Sequence, residues 1–381
     1  MKIRMYNVGF GDCFCLRDKD SHLLVDFGSS NRLIGKKTRN KVFDEIISDL
    51  TTIENKNLLL THFHLDHLSG LLYMMKKNYL HEFETVYLPD VFSGAEMDSA
   101  LALLLLADLL KDSYLPSHQV SLFALVEALC RHPGKVSLLR RGVEFEGRYQ
   151  TLWPDTNEIG REIAAVIAVI PKRHMAAFSQ LVQFAGQLRK LVYAMTVEGG
   201  VLDHSRGETH IGGLEKDFIE LRRSIGFAQL LGDFEERKIE LRHLKNKISI
   251  VFQNAGERER SLLFTGDVPP NYLKKIAENY DGRYPLYDRY WCIKVPHHGT
   301  GGYYYDFREY APENLLISNG RYCSKEHKKS KGYQISINYT GWLGCSGATM
   351  RCSNSDCCDG YANGCTCKDP DIIAPELYRE I

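Results

Sequence analysis

The sequence predicts a mixed α+β fold in which two groups of strands flank a long helical stretch. The first group is indicated by short apolar segments at residues 2–8, 13–16 and 22–27, which glycines separate. Residues 41–50 then carry apolar side chains at helical spacing, and residues 57–61 return to an apolar run. This alternation of strand, helix and strand indicates layered α and β structure.

The second group of strands comes late in the chain. Residues 247–252 and 261–264 are apolar enough to form buried strands, and residues 291–295 are a further apolar run. A short helix is predicted at residues 271–278. We expect both groups to belong to one β-rich frame that covers residues 1–320.

The stretch between the two groups is mostly helical in its pattern. Residues 94–112 and 120–132 are rich in Leu and Ala, and residues 157–244 carry apolar side chains at helical spacing. Only residues 143–153 have the pattern of a strand. We therefore interpret residues from about 91 to 245 as a helical insertion into the frame rather than a separate domain.

The composition of the 381 residues excludes several classes of protein. A chain with 44% hydrophobic and 25% charged residues is neither disordered nor collagen-like. Because 48 Lys and Arg balance 48 Asp and Glu, no bulk positive charge attracts duplex nucleic acid, and any affinity for anions must be local. No apolar run reaches the roughly 20 residues of a membrane helix, and no signal peptide is recognisable. We expect no membrane segment and a cytoplasmic location.

Residues 321–381 form a C-terminal extension that is rich in cysteine. The chain has 11 cysteines, an odd number, so they cannot all pair. One prediction is a structural zinc ion held by four of five cysteines, because the extension has few apolar residues from which to build a core. Free thiols and disulfides are the alternatives. The five cysteines are Cys352, Cys357, Cys358, Cys365 and Cys367.

The densest group of candidate metal ligands follows the apolar strand at residues 57–61. His62 and His64 alternate there, so both imidazoles project from the same side of the strand end and can reach one cation. Asp66 and His67 follow in the turn before the next helix and can reach a second cation. The segment therefore predicts two adjacent metal ions.

Two later segments have the same form, an apolar strand that ends in potential ligands. Leu262-Leu263-Phe264-Thr265-Gly266-Asp267 presents a carboxylate, and Ile293-Lys294-Val295-Pro296-His297-His298 presents two imidazoles. Alone, Asp267 could cap a turn and His297 could be a loop residue. Together with the first segment they predict one shared metal site.

These segments resemble the metallo-β-lactamase superfamily. More narrowly, they resemble the soluble hydrolase domain of ComEC-type DNA-internalisation proteins and its freestanding relatives, whose pattern also matches the opening segment Tyr6-Asn7-Val8-Gly9-Phe10-Gly11-Asp12-Cys13 and the segment Leu24-Val25-Asp26-Phe27-Gly28. The resemblance covers residues 1–90, about 143–155 and 246–320. It implies a four-layer αββα fold, with two β-sheets face to face and helices outside.

The resemblance also implies a role for each ligand. His62 and His64 would hold the first metal, Asp66 and His67 the second, and Asp267 would bridge both. One of His297 and His298 would complete the second site; we take His297 as that ligand and His298 as a catalytic residue, with the reverse assignment left open. Asp26 would support the metal loops without being a ligand.

The first metal needs a further ligand, for which most of the superfamily uses a histidine. The ComEC-type variant has Asn in its place, and Asn246 matches that position; His243 is the alternative, and Asn246 could also simply begin a strand. An amide carbonyl is a weaker and harder ligand than imidazole, so the site could take Mn²⁺ or Mg²⁺ as well as Zn²⁺.

This site predicts a dinuclear metal-dependent hydrolase. Two divalent ions, Zn or Mn, would hold and activate a bridging hydroxide, and Asp66 would orient it and pass a proton to the leaving group. The metals do not select the substrate. The resemblance favours a phosphodiesterase or nuclease; the alternatives are a hydrolase of a small ester, thioester or lactone, and a metal-containing subunit of a larger, for example defence, complex.

Two basic runs and the helical insertion are the parts of the sequence that could bind partners. Lys36, Lys37, Arg39 and Lys41 form a basic run that could contact a nucleic-acid substrate, although such runs are commonly solvated surface. Lys328, Lys329 and Lys331 form another. The helical insertion could dock a protein partner through an apolar face left over from packing.

Overall fold

The protein is described by a computed structural model that covers residues 1–18, 21–34, 36–79, 82–110, 121–131, 134–197, 204–318, 349–352 and 377–381. Within these residues the fold is mixed α+β, as predicted, and its strands form two sheets of seven strands each and one small hairpin. In chain order the strands are β1 (Lys2–Tyr6), β2 (Phe14–Arg17), β3 (His22–Val25), β4 (Leu33–Ile34), β5 (Lys37–Thr38), β6 (Lys56–Leu59), β7 (Phe83–Pro89), β8 (Lys135–Leu139), β9 (Glu144–Phe145), β10 (Tyr149–Trp153), β11 (Val251–Asn254), β12 (Leu262–Phe264), β13 (Cys292–Lys294), β14 (Asn314–Ile317), β15 (Thr349–Cys352) and β16 (Tyr378–Glu380).

The helices lie partly between strands of the frame and mostly between β7 and β11. They are α1 (Arg39–Leu50), α2 (Leu65–Lys76), α3 (Asp98–Leu109), α4 (Ser121–Cys130), α5 (Thr156–Ala168), α6 (Met175–Val197), α7 (His204–Arg223), α8 (Ile225–Phe234), α9 (Lys238–Lys247) and α10 (Pro270–Ala277). None of the helices in the described ranges is both long and apolar enough to cross a membrane.

The strand order places the ends of parallel strands side by side. The first sheet has the order β16-β1-β2-β3-β6-β7-β8, in which β3, β6, β7 and β8 are mutually parallel. The second has the order β15-β14-β13-β12-β11-β10-β9, in which β12 to β15 are parallel. The carboxyl ends of parallel strands meet at one edge of a sheet, so the residues that follow β3, β6, β12 and β13 can be brought together.

Aromatic side chains from both sheets pack against each other between them. The rings of Phe14 on β2 and Phe264 on β12 are 5.5 Å apart, and Phe252 on β11 stacks on Phe264 at 5.2 Å. All three are almost fully buried, which contributes about 1.5–3 kcal/mol each to the free energy of unfolding. This packing holds the two sheets in a fixed relation, so the loops at their edges keep their geometry.

The region between β7 and β11 contains more strand than the sequence predicts. Residues 135–139 form β8 and join the first sheet, and the predicted strand at 143–153 is split into β9 and β10. The other elements described there are helical, with rings of Phe123, Phe184 and Phe218 stacked among them.

The strand predicted from residue 247 begins later, at Val251, and this part of the expectation is wrong. Residues 238–247 form α9, because Leu241, Leu244 and Ile248 continue the helical spacing of the preceding residues and are buried together. Lys245 and Lys247 lie in the last turn, where cations suit the negative end of a helix. Asn246 therefore ends a helix and does not begin a strand.

Two short parts of the C-terminal extension are strands of the frame. Thr349–Cys352 pairs with β14, and Tyr378–Glu380 pairs with β1, where Glu380 bonds Lys2 and Arg4. The backbone of Cys352 lies in β15. The other cysteines of the predicted zinc site, Cys357, Cys358, Cys365 and Cys367, lie outside the described residues, as does the basic run at 328–331.

Candidate metal centre

The candidate ligands converge where the two sheets meet. Asp26 follows β3, His62 follows β6, and α2 begins between His64 and Asp66. From the second sheet, Asp267 follows β12, and the two histidines at 297–298 follow β13. The parallel strands thus place at one edge the side chains that the sequence distributes over more than 200 residues.

Asp267 lies at the middle of the cluster. Its Oδ2 atom is 3.1 Å from His67 Nε2 and 3.7 Å from His62 Nε2. One ligand atom from each of His62, His67 and Asp267 lies within 4.8 Å of the others, which is the separation that a single metal ion requires. His62 Nε2 is also 3.0 Å from His64 Nδ1, so His64 faces the same point.

A second group of donor atoms also lies near Asp267 Oδ2. His298 Nε2 is 3.3 Å from Asp66 Oδ2 and 3.7 Å from Asp267 Oδ2. Ligand atoms of Asp12, His67 and His298 also lie within 4.8 Å of one another. Asp12, His67 and His298 therefore offer a second set of donor atoms close enough together to share an ion.

The two adjacent histidines differ in their surroundings. His298 is fully buried, and its Nδ1 atom is 2.9 Å from the Ser318 carbonyl oxygen and 3.1 Å from Asp12 Oδ1. His297 is 15% exposed, and its Nε2 atom lies 4.0 Å from Asp267 Oδ2. Its ring stacks on Tyr303 at 4.0 Å. Geometry thus places His298 inside the cluster and His297 at its open side.

The backbone of this turn is strained. His297 and His298 have φ values of 46° and 57°, in the left-handed region that side chains with a Cβ rarely adopt. Gly299 continues the turn with a φ of 71°. Strain of this kind persists where the surrounding structure holds it, and it is common at functional sites.

Asn246 reaches the site from the last turn of α9. Its amide nitrogen donates to the Tyr303 hydroxyl at 2.7 Å, and its Oδ1 atom is buried without a hydrogen-bond partner among the described residues. A buried carbonyl oxygen without a partner costs about 1–3 kcal/mol, which a metal ion would offset. His243, the alternative, is exposed on the same helix.

Asp26 holds the first loop by three contacts. Its Oδ1 atom accepts from the Thr61 backbone at 2.7 Å, and its Oδ2 atom accepts from Thr61 Oγ1 at 2.7 Å. The same Oδ2 lies 2.8 Å from His67 Nδ1 and fixes the imidazole with Nε2 toward Asp267. These are the contacts of a carboxylate that orients a ligand.

Two residues of the cluster have no predicted role, Asp12 and Lys294. Lys294 Nζ is 2.5 Å from Asp12 Oδ2 and 3.4 Å from Asp267 Oδ1, and it donates to the Gly266 carbonyl at 2.9 Å. Both residues are buried. A lysine inside an apolar strand is itself a signal, because an ammonium group is almost never buried without a carboxylate partner.

The electrostatics divide the imidazoles into two kinds. Burial and the charge of His67 lower the pKa of His62 well below its usual value, and burial with the Lys245 ammonium lowers that of His64 to about 3. Against the effect of burial, Asp267 and Asp12 raise the pKa of His298 to about 9, and Asp267 and Asp26 raise that of His67. His62 and His64 are thus neutral at pH 7, whereas His67 and His298 must release a proton to bind a metal.

The carboxylates of Asp12 and Asp267 stay ionised. Burial raises the pKa of Asp12, but Lys294 and His298 outweigh it and lower the pKa to about 2. The cationic imidazoles of His67 and His298 likewise hold the pKa of Asp267 well below its ordinary value despite burial. Once His67 and His298 have released their protons, the imidazoles, the ionised carboxylates and one buried amide oxygen form a donor set that fits two divalent cations.

One comparison with known proteins bears on this geometry. Residues 6–125 match the family model of the metallo-beta-lactamase superfamily. The match confirms the broader resemblance, and it includes Asp12, Asp26 and the ligands from His62 to His67. No curated protein matches the chain. Because members of the metallo-beta-lactamase superfamily are mostly metal-dependent hydrolases, the match and the His and Asp clusters support a metal-dependent hydrolase.

Replacing Asp26 tests its supporting role. We expect Asp26→Asn to lower metal affinity by about 10- to 100-fold, because His67 loses the carboxylate that orients it. Metal content after dialysis, measured by mass spectrometry, is the readout. Asp49→Asn is the matched control, since that carboxylate binds Arg4 and Tyr6 away from the site and the variant should keep its metal. Full retention of metal by Asp26→Asn would contradict the role.

Replacing Lys294 tests whether its charge compensates the buried carboxylates. We expect Lys294→Met to lose about 3–5 kcal/mol of unfolding free energy in chelator, because Asp12 and Asp267 lose their cation. Added Zn²⁺ or Mn²⁺ should stabilise this variant more than the wild type. Urea unfolding with and without metal measures both effects. Lys274→Met, at an exposed position on α10, should behave as wild type, and an equal stability of Lys294→Met and wild type in chelator would rule the idea out.

Proposed function

We propose that the protein is a dinuclear metal-dependent phosphodiesterase of the nuclease type. The observation that carries the proposal is that Asp267 Oδ2 lies 3.7 Å from the Nε2 atoms of both His62 and His298, one imidazole from each group, as the oxygen of a carboxylate shared by two ions would. The family match supports hydrolysis, and the likeness of the motifs to ComEC-type domains supports phosphodiesters.

Seven side chains would hold the two ions. We assign His62, His64 and Asn246 to the first ion, Asp66, His67 and His298 to the second, and Asp267 to both. This assignment exchanges the roles first expected for His297 and His298, since His298 is the buried one. When bound, two such ions lower the pKa of a water and stabilise the charge that develops on a phosphate.

Asp66 and His297 would act on the attacking water and on the substrate. Asp66 is ionised at pH 7, because its hydrogen bond to His298 and the charge of His67 outweigh burial and hold its pKa far below the ordinary value, so its carboxylate can accept a hydrogen bond from a water and orient it. Burial lowers the pKa of His297 to about 4, so its imidazole is neutral at pH 7. Held against Tyr303 at the open side, His297 would donate a hydrogen bond to a substrate oxygen.

The same proposal extends to the architecture. We propose that the facing sheets and the helices outside them form the four-layer αββα arrangement, with residues from about 91 to 245 as an insertion and 321–381 as an extension. A structural zinc in that extension, a protein partner on the insertion and a cytoplasmic location remain proposals from the sequence.

Hydrolysis of small and polymeric diesters tests the function. We expect the protein with added Zn²⁺ or Mn²⁺ to cleave bis-p-nitrophenyl phosphate and at least one of single-stranded DNA, duplex DNA and RNA. The Asp66→Ala/His67→Ala double variant should lose this activity, because it lacks ligands of the second ion. Asp155→Asn, away from the cluster, controls for effects of preparation.

Metal binding without cleavage of any phosphodiester would contradict the proposed function. A protein that binds two metal ions but cleaves neither the polymers nor the small diester is not a phosphodiesterase. Esters, thioesters and lactones would then be tested on the same preparations, and activity there would support the rival class of hydrolase.

The two adjacent histidines can be separated by one pair of variants. We expect His298→Gln to lose one equivalent of metal, because it removes an imidazole that faces Asp66 and Asp267. His297→Gln should keep both metals and lose turnover. Metal counting together with kcat for the small diester checks both expectations. Loss of metal from His297→Gln with retention in His298→Gln would reverse the assignment.

A further inference from the structure

Residues 29–41 carry a concentration of positive charge beside the metal centre. This segment contains five cations and no Asp or Glu, and it joins β3, which ends at the site, to α1. Among the described residues, a carboxylate neutralises one of the five, Lys37, which binds Glu45 at 2.6 Å. The others are Arg32, Lys36, Arg39 and Lys41.

Two of these cations, Arg32 and Arg39, are paired through their backbones. The backbone nitrogen of Arg39 donates to the Arg32 carbonyl at 2.9 Å, so the two residues lie across the β4–β5 hairpin from one another. Within the described part of the chain, no carboxylate lies within salt-bridge distance of either guanidinium. Burial and the neighbouring charge of Arg32 lower the pKa of Arg39 from its usual value. Arg32 is exposed and Arg39 is half-buried, so these two like charges leave a region of positive potential that an anion would stabilise.

The start of α1 adds to the positive potential. Natural helices favour acidic side chains in the first turn, but the first turn of α1 has none and instead begins with Arg39. The backbone N–H groups of a helix start also attract anions, and in α1 the Lys41 N–H among them donates to Thr38 Oγ1 at 3.4 Å. Three sources of positive potential therefore point to an anionic ligand.

Arg39 is held in place and linked to the helix that carries metal ligands. Its Nη1 atom donates to the Ser29 carbonyl at 3.2 Å, and its guanidinium lies 5.8 Å from the centre of the Phe43 ring. The Ser69 hydroxyl donates to the same Ser29 carbonyl at 3.0 Å. Ser69 is one helical turn after Asp66 on α2, so the guanidinium lies on the order of 10 Å from the metal ligands.

In another group of arginines, by contrast, carboxylates of the protein neutralise the guanidinium charges. A cavity of about 180 Å³ is lined by Arg140, Arg141 and Arg283, among others. Arg140 binds Asp90 at 2.7 Å, and Arg141 and Arg283 both bind Asp281. Those guanidinium groups have their counter-charges within the protein. Arg32 and Arg39 have none among the described residues.

We propose that Arg32 and Arg39 bind a phosphate of the substrate next to the one that is hydrolysed. This inference rests on the proposed function and deepens it, because it makes the substrate a chain of phosphodiesters. A single strand fits better than a duplex: the metal ligands are buried, and a flexible strand can bend its scissile phosphate into the site. The substrate class is therefore single-stranded nucleic acid.

Cleavage of single-stranded oligonucleotides of increasing length tests the proposal. In the wild type, kcat/KM should rise by about tenfold or more once the oligonucleotide is long enough to place a second phosphate at the guanidinium pair. Arg32→Ala/Arg39→Ala should lack this rise, and the defect should appear in KM. Arg32→Lys/Arg39→Lys should retain part of it, since the charge remains.

Binding provides a readout that does not depend on cleavage. Fluorescence anisotropy with labelled single-stranded DNA in chelator should give a salt dependence of log K that is shallower in Arg32→Ala/Arg39→Ala, by about 0.7 for each phosphate that this variant no longer neutralises. Arg161→Ala is the matched control, because Arg161 is an exposed arginine already paired with Glu158 and should behave as wild type. Arg32→Ala alone leaves the contacts of Arg39 with Ser29 and Phe43 in place, should the double variant fold poorly.

The outcomes separate this inference from the proposed function. If length dependence and salt dependence are the same in wild type and Arg32→Ala/Arg39→Ala, the phosphate subsite is overturned even when cleavage occurs. If no diester is cleaved but single-stranded DNA binds through Arg32 and Arg39, the subsite stands and the proposed hydrolysis falls.

Discussion

Burial of the Asp267 carboxylate imposes the strictest physical requirement on this protein. A buried anion is tolerated only when neighbouring groups compensate its charge, and here imidazoles from both sides and the Lys294 ammonium do so. Asp12 and Asp26 extend the same network outward to the groups that support the ligands. The result is a centre in which the donor atoms already lie close together, and in which metal ions would take over the charge compensation that the protonated imidazoles of His67 and His298 supply.

The ends of the parallel strands bring together the groups that compensate the charge of Asp267. Asp267 can meet His67 only because parallel strands of two different sheets end at one place, and the aromatic packing between the sheets keeps that place rigid. The helices between β7 and β11 contribute too. Lys245 on α9 is buried, donates to the Phe63 carbonyl at 3.4 Å and to Ser121 Oγ at 2.8 Å, and pairs with Asp108. One ammonium group thus ties helices α3, α4 and α9 to the loop between His62 and His64.

Much of the candidate site could be predicted because its ligands are local in sequence. A run such as His62-Phe63-His64-Leu65-Asp66-His67 after an apolar strand requires no tertiary information to suggest metal binding. The frame strands were predictable for the same reason, since alternation and apolar runs are local. Strand β8 and the extent of α9 were not, because pairing with β7 and packing of Leu241 and Leu244 decide them. Lys294 inside an apolar strand was a signal of a buried carboxylate partner, but only the structure shows that Asp12 is that partner.

The sequence by itself determined the α+β class, the chemistry of the ligands and their order along the chain, because strand and helix periods and ligand types depend on near neighbours. Only the tertiary structure decided which of two adjacent histidines lies inside the cluster, which helix brings Asn246 to it, and which cations of the segment 29–41 have a carboxylate partner. Those outcomes depend on burial and on how the chain folds back on itself: Lys37 binds Glu45, whereas Arg32 and Arg39, whose backbones are paired, have no carboxylate within salt-bridge distance among the described residues. Charge compensation is a property of distances in space, and for that reason it cannot be read from spacing in the sequence.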